Sequence, residues 1–338
     1  MRAWLLDEFT GVAALRLGEV PDPTPRAGEV VLRVHYAALN PADRYLAERQ
    51  YPAKPPMPHI LGRDGLGTVV EVGPGVTGIA AGDRRIVLRG DVGVERAGTF
   101  AERVAVPVES LAEVPPGWDE PEAACATLVY LTAYQALTMW GALPASSIVL
   151  VTGASGGVGV ASVQLATAMG LTVVALSRSL AKSERLRQLG ASVCLDPALP
   201  GWRLALKKAL DSRHVDLAID NIGGALLSDV IETLGDAGKV SLVGRLAGPI
   251  PSFNTAALFF RRIRMGGVSV GANTNAESRA GWQQVLALLA HGSARPLVDS
   301  ILPFDQLPRA FERLAAGPMG KVVLKVEGTA TSPRLARS

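Results

Sequence analysis

Ile148-Val149-Leu150-Val151-Thr152-Gly153-Ala154-Ser155-Gly156-Gly157-Val158-Gly159 decides the fold. Apolar residues run straight into a turn of small ones, and 160–169 then reads as a helix. A strand, a glycine-rich turn and a helix in that order suit a phosphate. Small residues let the backbone turn sharply, Gly156 lets it approach a pyrophosphate, Gly159 lets helix and strand pack closely, and free N–H groups at the helix start face the anion. In the GxGxxG frame the glycine positions hold Ala154, Gly156 and Gly159, so the first glycine is replaced. A glycine turn of purely structural use is the competing reading, and the run of strands and helices downstream weighs against it.

In that run, apolar strands at 172–176, 193–195, 215–219, 239–243 and 264–270 alternate with helices near 181–189, 202–211 and 225–234. Such strands need helices on both faces of a parallel sheet, and right-handed crossovers make that sheet doubly wound. The class is α/β. Residues 1 to about 120 read differently. Short runs such as Val30-Val31-Leu32-Arg33-Val34 and Thr68-Val69-Val70-Glu71-Val72 lie between turn signals such as Pro23-Thr24-Pro25 and Gly73-Pro74-Gly75, which spells a β-rich domain. Beyond 270 the pattern predicts helices near 278–291 and 305–316, a closing strand over 321–326 and a disordered tail over 328–338.

An acidic residue at the end of the second strand would hold a ribose 2′-hydroxyl. Here 175–179 read Ala-Leu-Ser-Arg-Ser, Lys182 follows, and no carboxylate comes before Glu184. A 2′-phosphate wants a guanidinium fork, hydroxyl donors and a nearby ammonium. Ser177, Arg178, Ser179 and Lys182 supply that set, so NADPH is expected over NADH.

The length of 338 residues gives a prior of about two domains. With 48% hydrophobic and 19% charged residues the chain can fill packed cores and is not a disordered sequence. A net charge of +3 over that length implies no nucleic acid partner. Cys125 and Cys194 form neither a CxxC pair nor a disulfide framework, which fits a reducing cytoplasm. The N-terminus lacks the apolar core of a signal peptide. Residues 123–177 carry no charge, but Thr, Gln, Pro, Ser and Gly interrupt them and no basic flank adjoins, so a protein interior is expected there and no membrane span.

Further runs stand in a telling order: Ala38-Leu39-Asn40-Pro41-Ala42-Asp43, Gly62-Arg63-Asp64-Gly65-Leu66-Gly67 followed by Val69-Val70-Glu71-Val72-Gly73, and Ala81-Gly82-Asp83-Arg84. Gly98-Thr99-Phe100-Ala101-Glu102, Leu131-Thr132-Ala133-Tyr134, the glycine turn and Gly320-Lys321-Val322-Val323-Leu324 continue it. In these motifs the chain resembles the medium-chain dehydrogenase/reductase superfamily and, within it, the zinc-independent quinone oxidoreductase-like branch. The resemblance implies a GroES-like β-rich catalytic domain from 1–123 and 272–338, a Rossmann nucleotide-binding domain over 124–271, an active site between them, and Thr132 near the nicotinamide.

The zinc-dependent alcohol dehydrogenases of that superfamily hold their metal with Cys, His and a further Cys or similar ligand. By resemblance these positions fall on Asn40, Arg63 and near Leu128, none a plausible zinc ligand. The four-cysteine lobe is missing as well, since 85–105 hold no cysteine. No metal is expected. The expected electrophile is then a quinone or an activated C=C, whose carbonyl oxygen must be hydrogen-bonded while hydride adds and a proton is delivered. The resemblance places Asn40, Tyr45 and Tyr51 at that site, with the Asn40 amide orienting the carbonyl and either tyrosine donating a hydrogen bond or relaying a proton. Each tyrosine reads equally well as an amphipathic aromatic at a domain boundary. Asp43 is expected to pair with a base or cap a turn, and Arg63 to pair with Asp43 or Asp64 or else to meet an anionic substrate.

The expected function is an NADP(H)-dependent, zinc-free reduction of quinones or α,β-unsaturated carbonyls. An enoyl- or acryloyl-thioester reductase, or a low-turnover NADPH-binding regulatory protein, are the alternatives. His35, His59, His214 and His291 have no partner spacing for a hydrolase, and Arg261-Arg262-Ile263-Arg264 reads as a solvated edge. The last strand, 264–270, would leave a free sheet edge, so a homodimer through it is expected.

Overall fold

The structure is a computed structural model and describes residues 1–88, 90–248, 253–290 and 294–326; His291 and the tail at 328–338 lie outside them. The chain opens with β1 (Arg2–Leu6), β2 (Arg16–Glu19), β3 (Glu29–Ala38), α1 (Pro41–Ala47), β4 (His59–Ile60) and β5 (Asp64–Val72). β6 (Arg84–Val87), β7 (Arg103–Pro107), β8 (Leu111–Glu113), α2 (Glu120–Ala124) and α3 (Thr127–Thr138) come next. Then come β9 (Ile148–Val151), α4 (Gly157–Ala168), β10 (Thr172–Leu176), α5 (Leu180–Gln188), β11 (Val193–Leu195), α6 (Trp202–Ala209), β12 (Val215–Asp220) and α7 (Ala225–Thr233). β13 (Leu234–Leu242), α8 (Ala256–Phe260), β14 (Arg264–Gly267), α9 (Asn275–Ala290), β15 (Val298–Pro303), α10 (Leu307–Ala315) and β16 (Lys321–Lys325) complete it. Two compact units result: Met1–Thr127 with the segment from Val298 onward, and Leu128–Leu297.

In the first unit β3 is the hub. β5 runs antiparallel along one edge, from Val30 opposite Val72 to Ala38 opposite Asp64. The other edge is shared: β7 pairs with Glu29–Arg33, and β16 with Tyr36–Ala38. β6 and β8 extend the sheet beyond β5, β15 extends it beyond β16, and β2, β1 and β4 form a separate three-stranded sheet. Trp4, Leu6, Leu32, Leu39, Leu46, Phe100, Phe304 and Phe311 fill the core. Burying a side chain of that size contributes roughly 1.5–3 kcal/mol, so Leu46 anchors α1 firmly. The register has a consequence for chemistry: with Ala38 opposite both Asp64 and Val323, the start of β5 and the start of β16 converge on the residues just after β3.

The second unit holds a parallel sheet in the order β11-β10-β9-β12-β13-β14, with the chain reversing direction across the sheet between β9 and β12. β9 is buried along its whole length, as a strand covered on both faces must be. β13 begins at Leu234 rather than 239: Leu234 pairs with Val215, and a register shift before Leu217–Lys239 takes up the intervening residues. β14 ends at Gly267, short of 270, because Val270–Ala272 coils into a 3-10 turn. The domain boundaries also move. The first falls after Thr127, and the second at Val298 instead of 272, because α9 belongs to the nucleotide-binding unit. It buries Trp282, Val285 and Leu289, an ideal Cβ on its Gly281 would lie 3.2 Å from Leu131 of α3, and the chain beyond it is tied back by Gln164 of α4 donating to the Arg295 carbonyl. Among the described residues no helix is long and apolar enough to cross a membrane.

Candidate active site

The glycine turn is built as its spacing suggested, with one shift. The left-handed residue is Gly153, φ +56°, so the sharp turn comes one position early and Ala154 can stand where the motif has its first glycine. Ala154 is fully buried, its N–H bonded to the Leu176 carbonyl at 3.2 Å. Gly159 is needed for packing, since a Cβ there would sit 2.4 Å from the Gly153 carbonyl oxygen. At Gly156 a Cβ would meet only that same oxygen, at an ordinary 3.5 Å. The protein itself leaves that place open.

No side chain caps α4, so the first N–H groups, from Gly157, Val158 and Gly159, keep no intrahelical partner and carry the positive end of the helix dipole; Ser155 stands just before them. Behind the turn, Thr152 donates to Asp220 at 2.7 Å, and Asn221 Nδ2 donates to the Thr152 carbonyl at 2.8 Å. These bonds lock the ends of β9 and β12 together. The buried Oδ1 of Asn221 has no hydrogen-bond partner. An open glycine, uncapped amides and an orphaned acceptor at the sheet's carboxyl edge fit a dinucleotide.

At the end of β10, Ser177 is buried and Arg178 exposed. Ser179 caps α5, accepting from the Lys182 N–H at a long 3.4 Å, while the Ser179 N–H reaches the Ser177 hydroxyl, also at 3.4 Å. The expected 2′-phosphate residues thus share one turn, held loosely by bonds that an anion could replace. Thr132 lies on α3 with its hydroxyl donating to the Leu128 carbonyl at 2.7 Å, which leaves its oxygen lone pairs as acceptors only.

The first unit concentrates its polar groups after β3. Asn40 caps α1: its backbone N–H donates to Asp43 Oδ2 at 2.8 Å, completing a capping box. Asn40 Nδ2 donates to Asp64 Oδ2 at 2.9 Å, and Lys321 Nζ donates to the same Asp64 oxygen at 3.1 Å and to Asn40 Oδ1. The Thr127 hydroxyl lies 3.0 Å from the other Asp64 oxygen and donates to the Val87 carbonyl at 2.8 Å. Arg63 pairs with Asp43 at 3.4 Å, donates to the Ala42 carbonyl at 3.2 Å, and lays its guanidinium over the Tyr51 ring, 4.3 Å from the centroid. Burial pushes the Asp43 carboxyl up to about 6 against the pull of Arg63, and pushes the Cys125 thiol to about 12, which leaves that cysteine inert.

This geometry corrects one expectation. The Asn40 amide is spent within the protein rather than held free for a substrate carbonyl: Nδ2 donates to the buried Asp64 carboxylate, the stronger acceptor, and at a long 3.4 Å to the Ala38 carbonyl, and an ammonium takes its oxygen. The ion pair foreseen for Arg63 is present, and with its side chain 3% exposed it is not placed to greet an anionic substrate. Tyr45 and Tyr51 remain, both half-buried, one on α1 and one just beyond it. Sequence reading missed Lys321 and Thr127 as parts of this site, and named Asp64 only as a possible partner of Arg63, whereas its cation is Lys321; the one available signal was a lysine opening an otherwise apolar strand, Lys321-Val322-Val323-Leu324. Zinc does not fit here. The places of two expected ligands hold an amide and a guanidinium, a second cation lies beside them, and both carboxylates are already paired.

Residues 26–116 match the family described as alcohol dehydrogenase GroES-like domain, and residues 157–291 that described as zinc-binding dehydrogenase. The chain is 28% identical to a quinone oxidoreductase of Sus scrofa over 331 residues, 96% of this chain and 97% of that protein. Among solved structures, an NAD-dependent alcohol dehydrogenase superposes with a TM-score of 0.88 at 29% identity, over 96% of this chain and 100% of the other. A mycobacterial protein complexed with NADPH superposes with a TM-score of 0.87 at 27% identity, again over 96% and 100%. The first unit is the GroES-like domain, the second the Rossmann-like one, and the chain belongs to the medium-chain dehydrogenase/reductase superfamily of oxidoreductases.

Proposed function

We propose that this oxidoreductase uses NADPH, without zinc, to reduce quinones or α,β-unsaturated carbonyls. The observation that carries the reading is the Arg63–Asp43 and Lys321–Asp64 cluster at the place a catalytic metal would need. With no Lewis acid to polarise an alcohol oxygen, the substrate must itself be a ready electrophile. NADPH, when bound, supplies the hydride. Displaced electrons then gather on the conjugated carbonyl oxygen, where the phenol of Tyr51 or Tyr45 donates a hydrogen bond and passes its proton, to be reprotonated from water. Gly156 and the α4 amides bind the pyrophosphate, and Arg178 with Ser177, Ser179 and Lys182 the 2′-phosphate. The names of similar proteins include both NAD and NADPH users, so the Arg178 turn is what favours NADPH.

A panel of quinones, enones, enoyl thioesters and simple alcohols, run with each cofactor and with a chelator, tests this. Saturable NADPH oxidation by a quinone or enone, indifferent to chelator, is the expected result, with Arg178→Ala erasing most of an at least tenfold preference over NADH, equal to about 1.4 kcal/mol. Zinc-dependent alcohol oxidation would refute the chemistry, turnover confined to thioesters would reassign the substrate, and no turnover would favour a regulatory role. We also propose a homodimer through the outer edge of β14, a reading supported by the exposed Phe259 and Phe260 just before it.

A further inference from the structure

The cluster is neutral, with Arg63 and Lys321 against Asp43 and Asp64, yet Arg63 does not sit where charge balance alone would put it. Asp64 is served by Lys321 and Asn40, whereas Asp43 already receives the Asn40 N–H that α1 needs at its start. If Arg63 only neutralised Asp43, a direct short contact would serve best. Instead the closest approach between them is 3.4 Å, Nε and Asp43 Oδ1 make no hydrogen bond, and the guanidinium spans from the Ala42 carbonyl to the face of Tyr51. Its carrier, the residue just before β5, is fixed by the strand register, and its own side chain is almost wholly enclosed. A rigid plane 4.3 Å from a ring centroid restricts that ring in tilt and position, and a desolvated guanidinium over a phenol is the strong form of this contact. Tyr51 lies beyond the end of α1, where no helix hydrogen bond holds it.

We infer that Arg63 is a positioning residue for Tyr51: Asp43 and the Ala42 carbonyl hold the guanidinium, and the guanidinium holds the ring that presents the phenol. The inference rests on the reading of Tyr51 as the proton donor. It differs from charge neutralisation in what survives when both charges are removed. Asp43→Asn keeps a side chain able to cap α1, so the double variant Arg63→Met/Asp43→Asn removes the pair without stranding a buried charge.

The variants Arg63→Met, Arg63→Lys, Tyr51→Phe, Arg63→Met/Asp43→Asn and Arg63→Met/Tyr51→Phe are compared for kcat and KM on an enone, for NADPH affinity and for thermal midpoint. Arg63→Met should lower kcat on the order of a hundredfold, as misplacement of a reacting group by about an ångström does, with NADPH affinity unchanged. Arg63→Lys, which keeps the charge and loses the plane, should recover the midpoint more fully than kcat. Arg63→Met/Asp43→Asn should regain the midpoint but not kcat, and Arg63→Met should cost nothing further in the Tyr51→Phe background. Recovery of kcat together with the midpoint, or losses that multiply in Arg63→Met/Tyr51→Phe, would overturn the positioning role. Full activity in Tyr51→Phe would sink the donor reading and this inference with it, whereas an impaired Tyr51→Phe beside a wild-type Arg63→Met would sink the inference alone.

Discussion

Around Gly156 the Rossmann-like unit offers backbone and an absence of side chain, whereas around Asp64 the GroES-like unit brings Asn40, Asp43, Arg63, Thr127 and Lys321 into a place nearly closed to water. The first is a local device. Its amides come from consecutive residues, and a helix dipole supplies the charge, so a single change weakens it in proportion. The second is a device of paired charges drawn from three distant parts of the chain. Buried charges are tolerable only while each has its partner, so removing one costs far more than the contact it made. One region should therefore fail by losing ligand, the other by losing fold.

Lys321→Met breaks the comparison open most widely. It leaves Asp64 buried with its cation gone and takes the ammonium from Asn40 Oδ1, a loss of about 3–5 kcal/mol in a chemical denaturation experiment. Adding Asp64→Asn should return most of that. If the single variant unfolds at the wild-type midpoint, the cluster is not held by charge.

The same contrast explains what can be read from sequence. A parallel sheet and a phosphate turn announce themselves because their signals are contiguous: Ile148 to Gly159 contains strand, turn and helix start in twelve letters. Even there, the left-handed residue is Gly153 rather than the motif position, since sequence shows which residues permit a turn but not which one takes it. The Asn40 cluster depends on β3, β5 and β16 being in register, and no local pattern states that Lys321 will stand beside Asn40. Family likeness singles out Asn40 but does not say that its side chain will meet Asp64 and Lys321. Sequence assigns α9 to the wrong unit for a related reason: its apolar stripe says that it packs, not on what.

Next in size is a pH effect at His59, which is buried near Arg63. Burial chiefly, with the Arg63 charge assisting, holds its imidazole down at about 4, while the unfolded chain takes up a proton near 6.5. Between those values only the unfolded state is protonated, so the stability His59 contributes is full above about 6.5 and is lost as the pH falls toward 4. Asp43, raised to about 6, acts in the opposite sense: its contribution is full below the unfolded value of 3.8 and is lost as the pH rises through 6. His59→Gln, which can still donate a hydrogen bond, removes only the first effect. Its stability relative to wild type should improve on going from pH 7 to 4.5 by up to about 3 kcal/mol, since a tenfold difference in proton affinity between the two states is worth about 1.4 kcal/mol. A constant gap across that range would mean that His59 protonates freely in the folded protein.

The smallest effect is the sharpest test of the glycine turn. Gly159→Ala drives a Cβ to 2.4 Å from the Gly153 carbonyl oxygen and 2.6 Å from Ala154 atoms, all backbone that cannot step aside without moving β9 away from α4. Overpacking of this kind costs about 1–3 kcal/mol, and cofactor binding should fall with it. At Gly156 the same methyl meets nothing closer than 3.5 Å and the backbone is extended, φ −77° and ψ 174°, a conformation alanine adopts freely. Gly156→Ala should therefore shift stability by no more than about 0.5 kcal/mol, in the manner of a surface change. Titration calorimetry should nonetheless show NADPH affinity reduced at least tenfold, because the methyl occupies the approach of the pyrophosphate. If Gly156→Ala binds NADPH like the wild type, the phosphate does not come to this turn, and the glycine there is an accident of composition rather than a cradle.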